Sequence, residues 1–207
     1  MKFRLACAIG LTMAALGAPT ISAAKDAKAI YQGVTEELFQ TYIVGLGLEE
    51  LGYDVDEPII AQMQASILSV ANGDASYFPT FWWPLHTRFW EQNGGDEKFQ
   101  RVGTLVENSL QGYLIDKATA DANGITSLAQ LKDPEIAKLF DIDGNGKADL
   151  YGCETGWGCE VVIEHHLDAY SLRDTVEHRQ GGYFAIITDA VERVKSGQSA
   201  LYYTWTP

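Results

Sequence analysis

The chain has 207 residues and a formal net charge of −13, with 15 Lys and Arg against 28 Asp and Glu. An acidic chain without a basic cluster does not bind nucleic acid or anionic lipid through positive patches. Its three cysteines and five tryptophans are few enough that the setting of each carries information.

Met1-Lys2-Phe3-Arg4 is basic, Leu5 to Leu16 is apolar, and Ser22-Ala23-Ala24 offers small residues for cleavage. This is the pattern of a secretory signal peptide, residues 1–24, removed after Ala24. The apolar run is too short to cross a bilayer comfortably as a helix. Cys7 lies ahead of most of that run and is not placed as a lipid attachment site. The mature protein is therefore expected in the periplasm, not inserted in the membrane. Loss of Lys2 and Arg4 makes the charge two units more negative and leaves two cysteines, Cys153 and Cys159. They bracket a short glycine-rich loop in a compartment that permits disulfides, so a Cys153–Cys159 bridge is expected. A metal pair is the weaker reading, because no other Cys or suitably spaced His completes a ligand set.

Beyond the leader, Ala29 to Gly33 reads as a strand. Thr35 is placed to cap a following helix that carries Glu36 and Glu37 in its first turn, where the helix dipole favours them. Leu38, Phe39, Tyr42, Ile43 and Leu46 form its apolar stripe, and Gly52 ends it. A strand around Tyr53–Val55, a helix over about Ala65–Ala71 stopped by Asn72-Gly73, and a strand over Ala75–Phe81 follow. Such alternation predicts a mostly parallel sheet covered by helices. Val102–Glu107 and Gly112–Ile115 read as a pair of strands. Short helices over Ser127–Leu131 and Pro134–Phe140 come next, then a helix over Cys159–Tyr170 and a strand at Thr175–Glu177. The helix over Tyr183–Lys195 offers Ala185, Ile186, Ala190 and Val194 to cover a sheet, and Leu201–Trp205 is an interior strand. The division expected is a first α/β lobe over 25–105 and a second over 106–207.

Three aromatic signals stand apart from this alternation: Phe81-Trp82-Trp83-Pro84-Leu85-His86, Gly156-Trp157-Gly158-Cys159-Glu160 and Tyr202-Tyr203-Thr204-Trp205-Thr206-Pro207. Tryptophans beside Gly or Pro suit loops, where ring faces stay open. Several such faces together hold a quaternary ammonium ion through the ring quadrupoles.

At these segments, and at Gln111-Gly112-Tyr113-Leu114-Ile115-Asp116-Lys117 and Leu131-Lys132-Asp133-Pro134, the sequence resembles the periplasmic glycine betaine/proline betaine-binding proteins of osmoprotective ABC importers. The resemblance implies an α/β, two-lobe periplasmic binding protein-like fold (type II) that closes around its ligand. The family's long C-terminal return to the first lobe has no counterpart here, so the fold is expected to be incomplete at the C-terminus, marginally stable and weak in binding. The resemblance also implies a box formed by Trp82, Trp157 and Trp205 around the methylated ammonium, with His86 and the amides of Gly158 and Cys159 on the ligand carboxylate. Alignment through Pro84 selects Trp82 over Trp83. A protonated His86 would add a charge-assisted bond. The partners implied are glycine betaine and an ABC importer permease with its ATPase. The alternatives are a quaternary-amine sensing module without a transport role and a non-functional remnant.

Asp141, Asp143, Asn145 and Asp149 have the oxygen spacing of a calcium loop, with Gly146 as the turn glycine, although the usual closing Glu is replaced by Gly152. The loop is a candidate structural calcium site. A turn held by Asp and Asn side chains is the alternative. His165-His166 lack the spacing of a zinc pair, and His178 has no evident partner. No catalytic triad or phosphate-binding glycine loop stands out, and no enzyme is expected.

Overall fold

A computed structural model describes residues 25–206. The expected signal peptide and Cys7 lie outside the described residues, as does Pro207. Strand β1 (Asp26–Tyr31) leads into helix α1 (Thr35–Glu50), and β2 (Asp54–Ile60) returns parallel to β1. Pro58 sits in β2, tolerable because this is a two-stranded sheet whose outer edge needs no further donors. Helix α2 (Met63–Asn72) is stopped by Gly73 in the left-handed conformation, as the Asn-Gly pair predicts. The strand expected over Ala75–Phe81 reduces to a single parallel bridge between Ala29 and Tyr77. The chain then turns toward α3 (Thr87–Gln92), which the sequence reading missed.

Helix α1 departs from expectation at its cap and at its face. Val34, not Thr35, is the N-cap, and no side chain caps it. The buried residues are Glu37, Thr41 and Gly45, whereas Phe39, Tyr42, Ile43 and Leu46 are exposed. Thr41 satisfies its hydroxyl by donating to the Glu37 carbonyl at 2.7 Å. Gly45 allows close approach to the sheet, since a Cβ there would stand 3.4 Å from Val55. The face that packs is therefore the small and internally bonded one.

The second sheet is built from β3 (Gln111–Ile115), β4 (Ala148–Tyr151), β5 (Val176–Arg179) and β6 (Leu201–Trp205), in the order β3-β6-β4-β5. Strand β6 is interior, as expected. It runs parallel to β4 and antiparallel to β3, and β4 runs parallel to β5. The partner expected for β3 at Val102–Glu107 is not a strand; β6 takes that place. Strand β4, fully buried, was hidden in the supposed calcium loop. Helix α4 (Lys117–Asn123), also missed, is capped by Asp116, whose carboxylate accepts from Thr119 N–H, and ended by Gly124. A 3₁₀ turn over Leu128–Lys132 opens with a Ser127/Gln130 capping box. Asp133 then caps α5 (Pro134–Ala137), and a 3₁₀ turn continues it over Lys138–Phe140.

Helices α6 (Gly158–Ala169) and α7 (Tyr183–Lys195) complete the elements. The latter covers the sheet with Tyr183, Ile186, Ile187 and Ala190, while Ala185 and Val194 remain exposed. The main core lies between the second sheet and α6, around Leu150, Ile163, Leu167, Leu201 and Tyr203. Among the described residues no helix is long and apolar enough to cross a membrane.

Candidate functional site

The site forms where the segment before α3, the N-terminus of α6 and the end of β6 meet the start of α1. Trp82, His86, Trp157, Gly158, Cys159 and Trp205 all line one cleft of about 410 Å³, open to solvent, so every ligand residue expected from sequence is brought to it. Trp205 is the common neighbour of the other two indoles: its ring stands 6.0 Å from Trp82 at 85°, and 6.0 Å from Trp157 at 63°. Both pairs stand edge to face, the arrangement that ring quadrupoles favour. Trp83 points elsewhere. It is half-exposed, packs against Phe81 and Trp90, and carries the Arg101 guanidinium over its ring at 4.4 Å.

His86 builds its own corner. Its backbone N–H donates to the Trp82 carbonyl at 2.8 Å, and Trp82 N–H donates to His86 Nδ1 at 3.1 Å. The tight turn is thus closed twice, and Nδ1 as acceptor leaves the proton on Nε2. Burial of the ring pushes its pKa down to about 3. His86 is therefore neutral, and the charge-assisted bond expected of a protonated ring is corrected to a neutral Nε2–H donor. Its edge rests on Gly158: a Cβ there would stand 2.7 Å from His86 Cδ2 and 2.8 Å from Leu85 Cγ. Only glycine permits this approach.

Beside His86, the first-turn amides of α6 lack intrahelical acceptors and carry the positive end of the helix dipole. The loop that aims them is tied down. Cys153 and Cys159 form the expected disulfide. Gly152 N–H donates to the Arg179 carbonyl, and Gly156 N–H donates to Glu160 Oε2 at 2.7 Å. Cys153 N–H donates to His178 Nε2 at 3.2 Å, and His178 Nδ1 in turn meets Glu164 Oε1 at 2.8 Å. His178, without an evident partner in sequence, thus has two. His166 bonds to the Tyr113 hydroxyl at 2.9 Å and takes no part in the cleft.

Sequence reasoning missed two contributions. Tyr183 packs at 4.5 Å from Trp205 and 5.7 Å from Trp157, and its buried hydroxyl donates to the Tyr203 carbonyl at 3.0 Å. It backs both indoles, yet in sequence it is one aromatic at a helix start. Gln32, Glu36, Glu37 and Gln111 supply the polar wall of the cleft. In sequence the two glutamates suit the helix dipole equally well, which conceals their second placement.

The Asp141–Asp149 loop lies apart from this cleft. Asp141, Asp143 and Asp149 gather within 4.8 Å of one another. The Arg179 guanidinium, however, bonds to both Asp143 and the buried Asp149, and that hydrogen bond holds the Asp143 carboxyl below its usual range. Asp141 accepts from Gly144 and Gly146 N–H, and Asn145 donates to Glu177. One guanidinium offsets only part of the charge that Asp141, Asp143 and Asp149 bring together.

A family model described as the substrate-binding domain of ABC-type glycine betaine transport systems matches residues 26–207. The chain is 51% identical over 180 residues to the glycine betaine-binding periplasmic protein OusX of Dickeya dadantii (strain 3937), covering 87% of this chain and 54% of that one. It is 53% identical over 174 residues to the glycine betaine/proline betaine-binding periplasmic protein of Escherichia coli (strain K12), covering 84% and 53%. The chain thus spans a little over half the length of these relatives. Among solved structures, the glycine/betaine/L-proline-binding protein ProX of Borrelia burgdorferi superposes with a TM-score of 0.73 at 20% identity, over 88% of this chain and 64% of that one. That likeness shows the fold: the α/β architecture of type II substrate-binding proteins.

Proposed function

The chain belongs to the family of substrate-binding domains of ABC-type glycine betaine transport systems, and from that premise we propose that its cleft captures glycine betaine, and proline betaine as a close second, for delivery to a membrane ABC importer. The work is binding, not catalysis. The observation that carries the reading is the convergence of Trp82, Trp157 and Trp205 on one cleft that also holds His86 and the α6 N-terminus. A quaternary ammonium has a fixed charge and no hydrogen to donate, so neither a base nor an acceptor recognises it. Indole faces do, at roughly 0.5–2 kcal/mol each. Its carboxylate needs donors, and His86 Nε2–H with the Gly158 and Cys159 amides supplies them without ordering long side chains.

In this role Trp82 and His86 arrive from one side of the cleft, and Trp157, Gly158, Cys159 and Trp205 from the other. Closure around the ligand then creates the shape that the importer's permease reads. The periplasm is the compartment we assign, in keeping with the Cys153–Cys159 bridge. Calorimetric titration of the purified chain with glycine betaine, proline betaine, choline and L-proline tests the reading. Saturable binding of the methylated amines, with L-proline weaker, is expected; a folded sample that binds none of them would refute it. Stimulation of the ATPase of a reconstituted betaine importer, dependent on both chain and ligand, tests delivery.

A further inference from the structure

The ligand chemistry above uses aromatic faces and N–H donors but leaves the acidic wall of the cleft without a role. Glu36 and Glu37 both lie in the first turn of α1 and both line the cleft. Their settings differ. Glu37 is buried and accepts at both oxygens, from Gln32 N–H at 3.0 Å and Gln32 Nε2 at 3.3 Å. Glu36 instead accepts from the indole Nε1–H of Trp205 at 3.2 Å, joining residues 169 positions apart. Trp205 is the ring against which both other indoles stand. Thus the one indole common to the box has its only polar atom bonded to a carboxylate on the opposite wall.

We propose that Glu36 is a specificity-determining residue of the cleft, favouring ligands with net positive charge over zwitterions and fixing the Trp205 ring. The proposal rests on the quaternary-ammonium reading given above. Two physical effects act in the same direction. An N–H that donates to a carboxylate pushes electron density into its own ring, and this strengthens the attraction of the ring face for a cation. The carboxylate also acts directly on a ligand in the cleft, where the dielectric is below that of water. A cation without a carboxylate receives that attraction whole. A zwitterion receives attraction at its head and repulsion at its tail, so the net gain is smaller. Glu36 therefore narrows the preference for betaines over cationic amines.

Glu37 affects the design of the test. Burial pushes its carboxyl up to about 7, and the neighbouring Glu36 charge contributes to that rise. Removal of Glu36 would thus change the charge on Glu37 at neutral pH. Measurement at about pH 8.5, well above that titration, keeps Glu37 ionised in every variant.

The experiment compares dissociation constants for choline and glycine betaine in the unsubstituted chain, Glu36→Gln and Glu36→Asp, with a thermal melt of each. An amide at this position keeps an oxygen for the Trp205 N–H and loses only the charge. Glu36→Gln is expected to weaken choline about tenfold and glycine betaine about twofold, moving the selectivity ratio about fivefold. Glu36→Asp keeps the charge and should hold the ratio near that of the unsubstituted chain, which a merely structural role would not predict. Equal loss of both ligands in Glu36→Gln, or no loss, overturns the proposal. If Glu36→Gln does not fold, a shifted ratio in Glu36→Asp overturns it instead, and an unshifted one supports it. Binding of neither ligand by the unsubstituted chain would overturn the quaternary-ammonium reading itself, an outcome distinct from the others.

Discussion

Single residues decide most of the chemistry, and several of them can be tested alone. Replacing Trp157 with alanine removes one ring face and its apolar contact, and betaine affinity should fall roughly tenfold to a hundredfold by calorimetry. Trp82→Ala should cost a similar factor. Trp83→Ala should cost little, because that ring faces Arg101 and the Phe81–Trp90 cluster instead of the cleft; equal losses at the two positions would reverse the assignment. The buried titratable pair gives a pH signature. Glu37 keeps its proton to about 7 in the fold, against 4.5 when unfolded, so its contribution to stability is full below about 4.5 and lost as pH rises to 7. His86 runs the other way: its pKa of about 3 in the fold lies below 6.5, so its contribution is full above 6.5 and lost as pH falls toward 3. Between about 4.5 and 6.5 the two slopes oppose each other. Glu37→Gln should unmask the histidine, so that unfolding free energy rises by about 2 kcal/mol from pH 4.5 to 6.5. Urea titrations at the two pH values check this, and a flat response in the variant would contradict it. The tryptophans were legible in the sequence because Gly and Pro neighbours ruled out helix interiors. The neutrality of His86 was not, since it depends on burial and on a bond from Trp82 four residues back.

Among the elements, α6 is the one whose start makes the site. Its first residue must be glycine to admit Leu85 and His86 from the facing segment. Gly158→Ala should therefore weaken betaine binding about tenfold or more while leaving the disulfide and the helix intact. An unchanged dissociation constant would show that the approach of His86 to the helix is not needed. A second element-scale prediction concerns the Asp141–Asp149 loop. Arg179→Gln strips the buried Asp149 of its counter-ion and should destabilise the protein by about 3 kcal/mol. A calcium-dependent rise in the melting temperature of the unsubstituted chain would support the calcium reading, and an unchanged temperature would favour a turn held by its own side chains. The sequence showed this loop's acidic spacing but not Arg179, which comes from β5, 30 residues beyond Asp149 and 36 beyond Asp143. Strand β4 was hidden for a related reason: four buried residues are too short for any periodicity to register. Helix α1 departs from its sequence pattern because its apolar stripe is plain there and its packing face is not. A face of Glu37, Thr41 and Gly45 has no hydrophobic signature, and only the approach to β2 explains it.

At the scale of the molecule, the start of α1 and the second sheet meet at one cleft, and the longest-range hydrogen bond there, Trp205 to Glu36, joins the last strand to the first helix. The fold class, the interior place of β6 and the disulfide were all readable from order and composition. The cleft's acidic wall was not, because nothing in sequence brings residue 36 near residue 205. Ligand recognition here rests on a fixed positive charge held by indole faces. The most direct measurement compares glycine betaine with 3,3-dimethylbutanoate, its isostere with carbon in place of the ammonium nitrogen, by calorimetric titration of the same preparation. The two ligands share their shape, methyl groups and carboxylate, so apolar burial and the His86 and α6 donors are held constant. The neutral-headed isostere should bind at least about tenfold more weakly, and equal affinity for the two would rule out cation recognition by the indoles.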